Sequence, residues 1–130
     1  MKCYKLYDTK KNWDSAKESC EDGGGELAII PNEDTQTFIE SLPSEVGGWI
    51  GLHQDSQSRE WFWTDGSPLE YKNWAIGQPD ETIGHSRAFI MGKWGDIGKW
   101  GGTVKNHVKY YYCQFPTDTT TTVSVFNISA

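Results

Sequence analysis

Residues 73–96 read NWAIGQPDETIGHSRAFIMGKWGD. They hold a Gln78-Pro79-Asp80 triplet, a polar loop, a short apolar run (Ala88, Phe89, Ile90, Met91) and a Trp94-Gly95-Asp96 triplet. An apolar run this short between polar stretches reads as a strand. The segment is therefore a surface loop carrying oxygen donors, closed by a strand that returns another carboxylate to it. Hard cations such as calcium take clusters of carboxylate and amide oxygens, and Gln78, Asp80 and Asp96 are the candidates to supply them. Pro79 stands between two of these groups, where a cis bond would turn both side chains to one side. Short motifs recur by chance, and a polar turn without an ion is the plainer reading of the triplet taken alone.

The totals around this segment narrow the choices. A chain of 130 residues is one domain, long enough to bury a core. A net charge of −6 argues against a nucleic-acid binder or a protein drawn to anionic membranes. No apolar run reaches membrane-spanning length. The chain opens Met1-Lys2-Cys3 on folded-looking sequence, as a processed or recombinant piece of a secreted protein would, and as a cytosolic protein would too. Seven Trp, six Tyr and five Phe beside fourteen Gly point to short strands and tight turns around a ring-rich core. Cysteines number three, an odd count. Cys20 and Cys113 each fall inside an apolar pattern, but composition does not choose between a disulfide and three reduced thiols.

Along the chain, Cys3 to Tyr7 alternates as a strand. Asn12 caps a helix with Trp13, Ala16 and Cys20 on one face, stopped by Gly23, Gly24 and Gly25. A short strand at 27–30 follows, then a second helix capped by Asn32, with Glu33 and Asp34 at its positive end, Phe38, Ile39 and Leu42 as its buried face, and Pro43 as its stop. Residues 49–52, 61–63, 88–91, a segment at Trp94 and 108–115 read as strands, with Gly92-Lys93 as a tight turn. Helices followed by many short strands with long polar loops make an α+β layout on a mostly antiparallel sheet. The Gly-Lys-Trp-Gly sequence occurs twice, at Gly92 and at Gly98. Residues 117–130 form a Thr-rich tail or linker outside a 1–116 domain, with an Asn127-Ile128-Ser129 sequon.

The ordered set of Trp13, Ala16 and Cys20, Gly25-Glu26-Leu27-Ala28, Trp49-Ile50-Gly51-Leu52, Trp61-Phe62-Trp63 with Asp65-Gly66, Tyr71-Lys72-Asn73-Trp74, Gln78-Pro79-Asp80, Gly92-Lys93-Trp94 with Asp96, and Tyr112-Cys113 resembles a C-type lectin-like domain over nearly the whole chain. The resemblance implies two helices against a mostly antiparallel sheet with a long ligand-binding loop. It implies a disulfide between Cys20 and Cys113, with Cys3 matching half of an N-terminal pair found in longer members. A second internal disulfide of the family falls near Arg87 and Lys99, neither of them cysteine here.

Sugar-binding members hold two adjacent sugar hydroxyls on a loop-bound Ca2+ ion. Gln-Pro-Asp resembles the galactose-type triplet, and Glu-Pro-Asn the mannose-type. The ligand set carried over is Gln78, Asp80 and Asp96, with Glu81 as a nearby substitute carboxylate. Gly95 stands where the family usually has Asn, and His85 near its loop glutamate. Thr82 stands near the Trp that stacks on galactose, which leaves Trp100 as the nearest ring.

The resemblance thus implies a calcium-dependent, secreted or extracellular lectin domain of galactose type. Gln78, Asp80, Asp96, His85 and Trp100 would meet glycans on cells or glycoproteins. Nucleic-acid binding and membrane insertion are not expected, and association into a homo-oligomer stays open. The alternative is a calcium-independent lectin-like domain that binds a protein or other surface ligand, because fold does not set function. The scattered His53, His85 and His107 lack a nucleophile or metal spacing, so no enzyme is expected.

Overall fold

The computed structural model describes residues 2–42 and 46–117. Its elements run β1 (Lys2–Lys11), α1 (Trp13–Asp22), β2 (Glu26–Leu27), α2 (Glu33–Glu40), β3 (Gly47–Gln54), β4 (Trp61–Trp63), β5 (Arg87–Met91), β6 (Trp100–Thr103) and β7 (Lys109–Pro116). Both helices start where the sequence places an Asn. The Asn12 and Asn32 side-chain oxygens accept the Ser15 and Thr35 backbone N–H groups at 2.8 and 2.9 Å, satisfying donors that a helix start leaves open. On α1, Trp13, Ala16 and Cys20 are the buried face, as expected.

On α2 the buried pair is Gln36 and Ile39. Phe38 was expected inside; instead it is half exposed and packs its ring on Tyr4, with centroids 5.8 Å apart. Leu42 is partly buried against the core. The helix ends at Glu40, and Pro43, the expected stop, lies outside the described residues.

The strands form a sheet of order β1-β7-β3-β5-β6, with β2 added on β7 and β4 on β3. Among the named strands the pairings are antiparallel except the β3–β7 contact at Trp49 and Tyr111. The first and last strands meet: β1 runs against β7 from Lys2 opposite Pro116 to Lys11 opposite Lys109. Two buried clusters flank the sheet. One joins Trp13, Ala16, Cys20, Leu27, Trp49, Tyr111 and Cys113 beneath α1. The other gathers Ile30, Ile39, Ile50, Leu52, Trp63 and Trp100 under α2 and the long loop. The expected disulfide is present: Cys20 on α1 is bonded to Cys113 on β7, with Cα atoms 5.6 Å apart, and Cys3 is exposed and free. The two helices against a mostly antiparallel sheet are the architecture anticipated from the sequence.

One strand is displaced. Trp94 is not on a strand, and Gly92-Lys93 is not a two-residue turn. Residues 92–99 form one long connection between β5 and β6, closed by Met91 N–H on the Lys99 carbonyl at 2.8 Å and Gly98 N–H on the Met91 carbonyl at 3.0 Å. The strand belongs to the second Gly-Lys-Trp-Gly copy: Trp100 is 0% exposed while Trp94 is 85% exposed. The choice between the copies is made by packing. The Trp63, Tyr71 and Trp74 rings surround Trp100 at centroid distances of 5.7, 5.9 and 5.7 Å, and its indole N–H donates to the Gln36 side-chain oxygen at 2.9 Å. The preceding Gly98 has φ +83°, open to glycine but costly for other residues, and its carbonyl accepts from Gln36 and Asn73 at 2.8 and 2.9 Å.

The long covalent loop between Cys20 and Cys113 carries much of the stability. Replacing both by alanine should lower the unfolding free energy by about 2–5 kcal/mol, seen as a fall in the guanidinium midpoint, while Cys3→Ser leaves the midpoint unchanged.

Candidate functional site

The long loop is clipped to β6 at its start. Trp100 N–H donates to the Asn73 carbonyl at 2.8 Å and Ala75 N–H to the Trp100 carbonyl at 2.9 Å, so residues 73–75 run along the strand's edge. Three residues on, the Gln78–Pro79 bond is cis. The Gln78 side-chain oxygen accepts the Gly102 N–H at 3.0 Å. A Cβ at Gly102 would lie 3.2 Å from the His85 carbonyl and 3.5 Å from the Trp61 ring, so a side chain there would crowd the loop.

Asp80 is held on the loop surface. Its carboxylate accepts the Thr82 N–H at 3.0 Å and meets His85 Nδ1 at 3.0 and 3.2 Å. The Thr82 bond, with a smaller contribution from His85, holds the Asp80 carboxyl below the usual carboxylate range. Glu81 has φ +61° and an exposed side chain; Arg59 Nη2 donates to its carbonyl at 2.8 Å and stands 3.8 Å from its carboxylate.

The residues named from the sequence therefore fall into two groups. Gln78, Asp80, Glu81 and His85 come together on one loop. Asp96 and Trp100 do not join them. Asp96 sits in the 92–99 connection beside Trp74, Ile76 and Lys99. Gln78 instead meets β6 at Gly102, about 10 Å of strand beyond Lys99. Trp100, offered as a ring for a sugar to stack on, is a core residue whose indole N–H is already bonded to Gln36. With Trp100 in the place given to Trp94, the residues after the tryptophan are Gly101 and Gly102 rather than Gly95 and Asp96. The strand returning to the triplet carries no carboxylate.

This donor set fits calcium poorly. Calcium takes six to eight oxygens, several from carboxylates. Here Gln78 spends its oxygen on Gly102, Asp80 is committed to Thr82 and His85, and among the described residues no group of three or more His, Cys, Asp or Glu is placed to hold a metal ion.

The sequence reading missed a cleft behind this loop. It has a volume of about 470 Å³, and its walls include Arg59, Arg87, Lys105, His53, Phe62 and Ile83. The same six-residue displacement explains it. Counting from Trp94 puts the family's second disulfide at Arg87 and Lys99, but Lys99 pairs with Met91 at the far end of the hairpin, while Arg87 lies opposite Thr103. Counting from Trp100 instead gives Lys105, which shares the cleft with Arg87. Two cations stand where relatives are expected to carry a bridge. An arginine opening an otherwise apolar strand was the available signal.

These features define a lectin-type binding domain with an altered loop. The profile of the Lectin C-type domain matches residues 9–115. The versican core protein of Rattus norvegicus is 30% identical over 112 residues, covering 86% of this chain. The mouse scavenger receptor C-type lectin carbohydrate-recognition domain is 31% identical with a TM-score of 0.81, over 90% of this chain and 92% of that one. The cow C-type carbohydrate-recognition domain of CD23, solved in the presence of a GlcNAc2Man3 oligosaccharide, is 29% identical with a TM-score of 0.80, over 90% and 89%. The chain belongs to the C-type lectin domain family, whose members are binding domains rather than enzymes. It spans about 4% of the length of versican. Among the described residues no helix is long and apolar enough to cross a membrane.

If Arg87 and Lys105 occupy the positions of the second bridge, Arg87→Cys combined with Lys105→Cys should form a disulfide on oxidation, detected by non-reducing peptide mapping. Arg87→Cys with Lys99→Cys should not.

Proposed function

We propose that this C-type lectin domain binds carbohydrate at the 78–85 loop through its own side chains, without a calcium ion as the bridge. The observation behind this reading is Gly102, which offers the triplet no side chain and takes the Gln78 oxygen onto its N–H at 3.0 Å, while Gly101 lies on the opposite face against Met91 and Phe89. An ion held at this loop would need the Asp80–His85 contact broken and would find no carboxylate on β6. Left intact, the same contact sets a hydrogen-bond acceptor beside an imidazole at the surface, next to the Gln78 amide N–H donors. That is the mixed donor and acceptor set a pair of adjacent sugar hydroxyls requires. The disulfide favours an extracellular setting.

The calcium-dependent, galactose-type reading is the second. It is favoured by the Gln78-Pro79-Asp80 triplet and by the neighbouring Glu81, which together retain two carboxylates and an amide.

Calcium separates the two, because a ligand that binds only the folded state raises its melting temperature. The melting temperature should be the same, within about 1 °C, in millimolar calcium and in chelator. Glycan-array binding should persist in chelator and be lost in Asp80→Ala. Binding abolished by chelator and restored by calcium would instead establish the galactose-type reading.

A further inference from the structure

We infer that the cleft behind the long loop is a second subsite, for the sulfate or carboxylate of an acidic saccharide whose ring lies against Phe62 and Ile83. The inference rests on the carbohydrate-binding reading and names the chemistry of its ligand. Its starting point is Arg87. The guanidinium is about half buried, its carbon 4.6 Å from the centre of the Trp13 ring, and Nη1 donates to the Ser86 carbonyl and hydroxyl at 3.1 and 2.9 Å. Nε is buried and has no hydrogen-bond partner. Among the described residues no carboxylate comes within ion-pair distance of it. Buried charges are ordinarily paired, so a guanidinium locked by a ring and a backbone carbonyl, with only Asp14 acting on it from beyond ion-pair distance, is arranged for an anion that arrives from outside.

The rest of the cleft agrees. Arg59 and Lys105 add two cations, against one lining carboxylate, Asp55. Its carboxylate already accepts the Gln57 and Ser58 N–H groups at 3.0 and 2.8 Å. The other acids nearby hold their cations loosely: Asp14 stands 3.7 Å from Lys105, and the Glu81 carboxylate 3.8 Å from Arg59. His53, with its pKa lowered by burial and then by Arg87, is largely uncharged at neutral pH and leaves the cationic work to the other three. In a chain of net charge −6 this is a local excess of the opposite sign, and such a patch draws anions. Phe62 and Ile83 give the cleft an apolar wall that an inorganic anion would not use. A ring bearing an acidic group uses both.

The test is an amide-resolved NMR titration of the full chain, at constant ionic strength set with chloride. The probes are galactose 6-sulfate, galactose and sodium sulfate. Galactose 6-sulfate should saturate shifts at Gln54, Ser86 and Lys105 and bind at least about fivefold more tightly than inorganic sulfate. Lys105→Gln should weaken it by about three- to tenfold with the melting temperature unchanged, since the lysine is exposed. Arg87→Lys, which keeps the charge but loses the fork, should weaken it as well. Equal binding of inorganic sulfate would overturn the saccharide assignment. Shifts no larger than those from chloride, or an affinity indifferent to Lys105→Gln, would overturn the site. Failure of the loop reading shows separately, as unmoved Asp80 and His85 amides with plain galactose.

Discussion

The placement of Trp100 governs the long loop. Its ring is enclosed by Trp63, Tyr71 and Trp74, and its N–H is held by Gln36, whose amide group in turn grips the Gly98 carbonyl. An indole buried at 0% exposure with its donor satisfied is a large contribution in a domain this size. Once it is seated, the start of the loop is tied to β6 through Asn73 and Ala75. The strand that follows is then bound to present Gly102 to the triplet.

From that anchor the polar chemistry of the loop follows. With no side chain at Gly102, the Gln78 oxygen closes on the backbone N–H and Asp80 turns to His85 and Thr82. Each polar group of the triplet that an ion would have used has an internal partner. The same displacement sets Arg87 and Lys105 on one cleft.

Much of the domain was legible in the chain. The asparagine caps, the helical spacing of Trp13, Ala16 and Cys20, and the alternating strands are local signals, set by hydrogen bonds and side-chain periodicity within a few residues. The resemblance supplied the pairing of Cys20 with Cys113. Phe38 was misplaced because helical spacing marks a face without saying how far the core covers it: Ile39 reaches the core, while Phe38 stays half exposed against Tyr4. Gln78, Asp80, Glu81 and His85 share one loop because they are neighbours in sequence.

What local pattern could not weigh was the repeated Gly-Lys-Trp-Gly. Both copies have the same propensity for a strand, and the residues that discriminate between them, Gln36, Trp63, Tyr71 and Trp74, lie 26 to 64 positions away from Trp100. The sequence by itself determined the fold, its caps and the presence of a polar loop with a Gln-Pro-Asp triplet. Only the tertiary structure decided which tryptophan fills the core, and with it whether a carboxylate or a glycine faces that loop, because burying one indole and leaving the other in water is a free-energy difference that exists only once the distant rings are assembled.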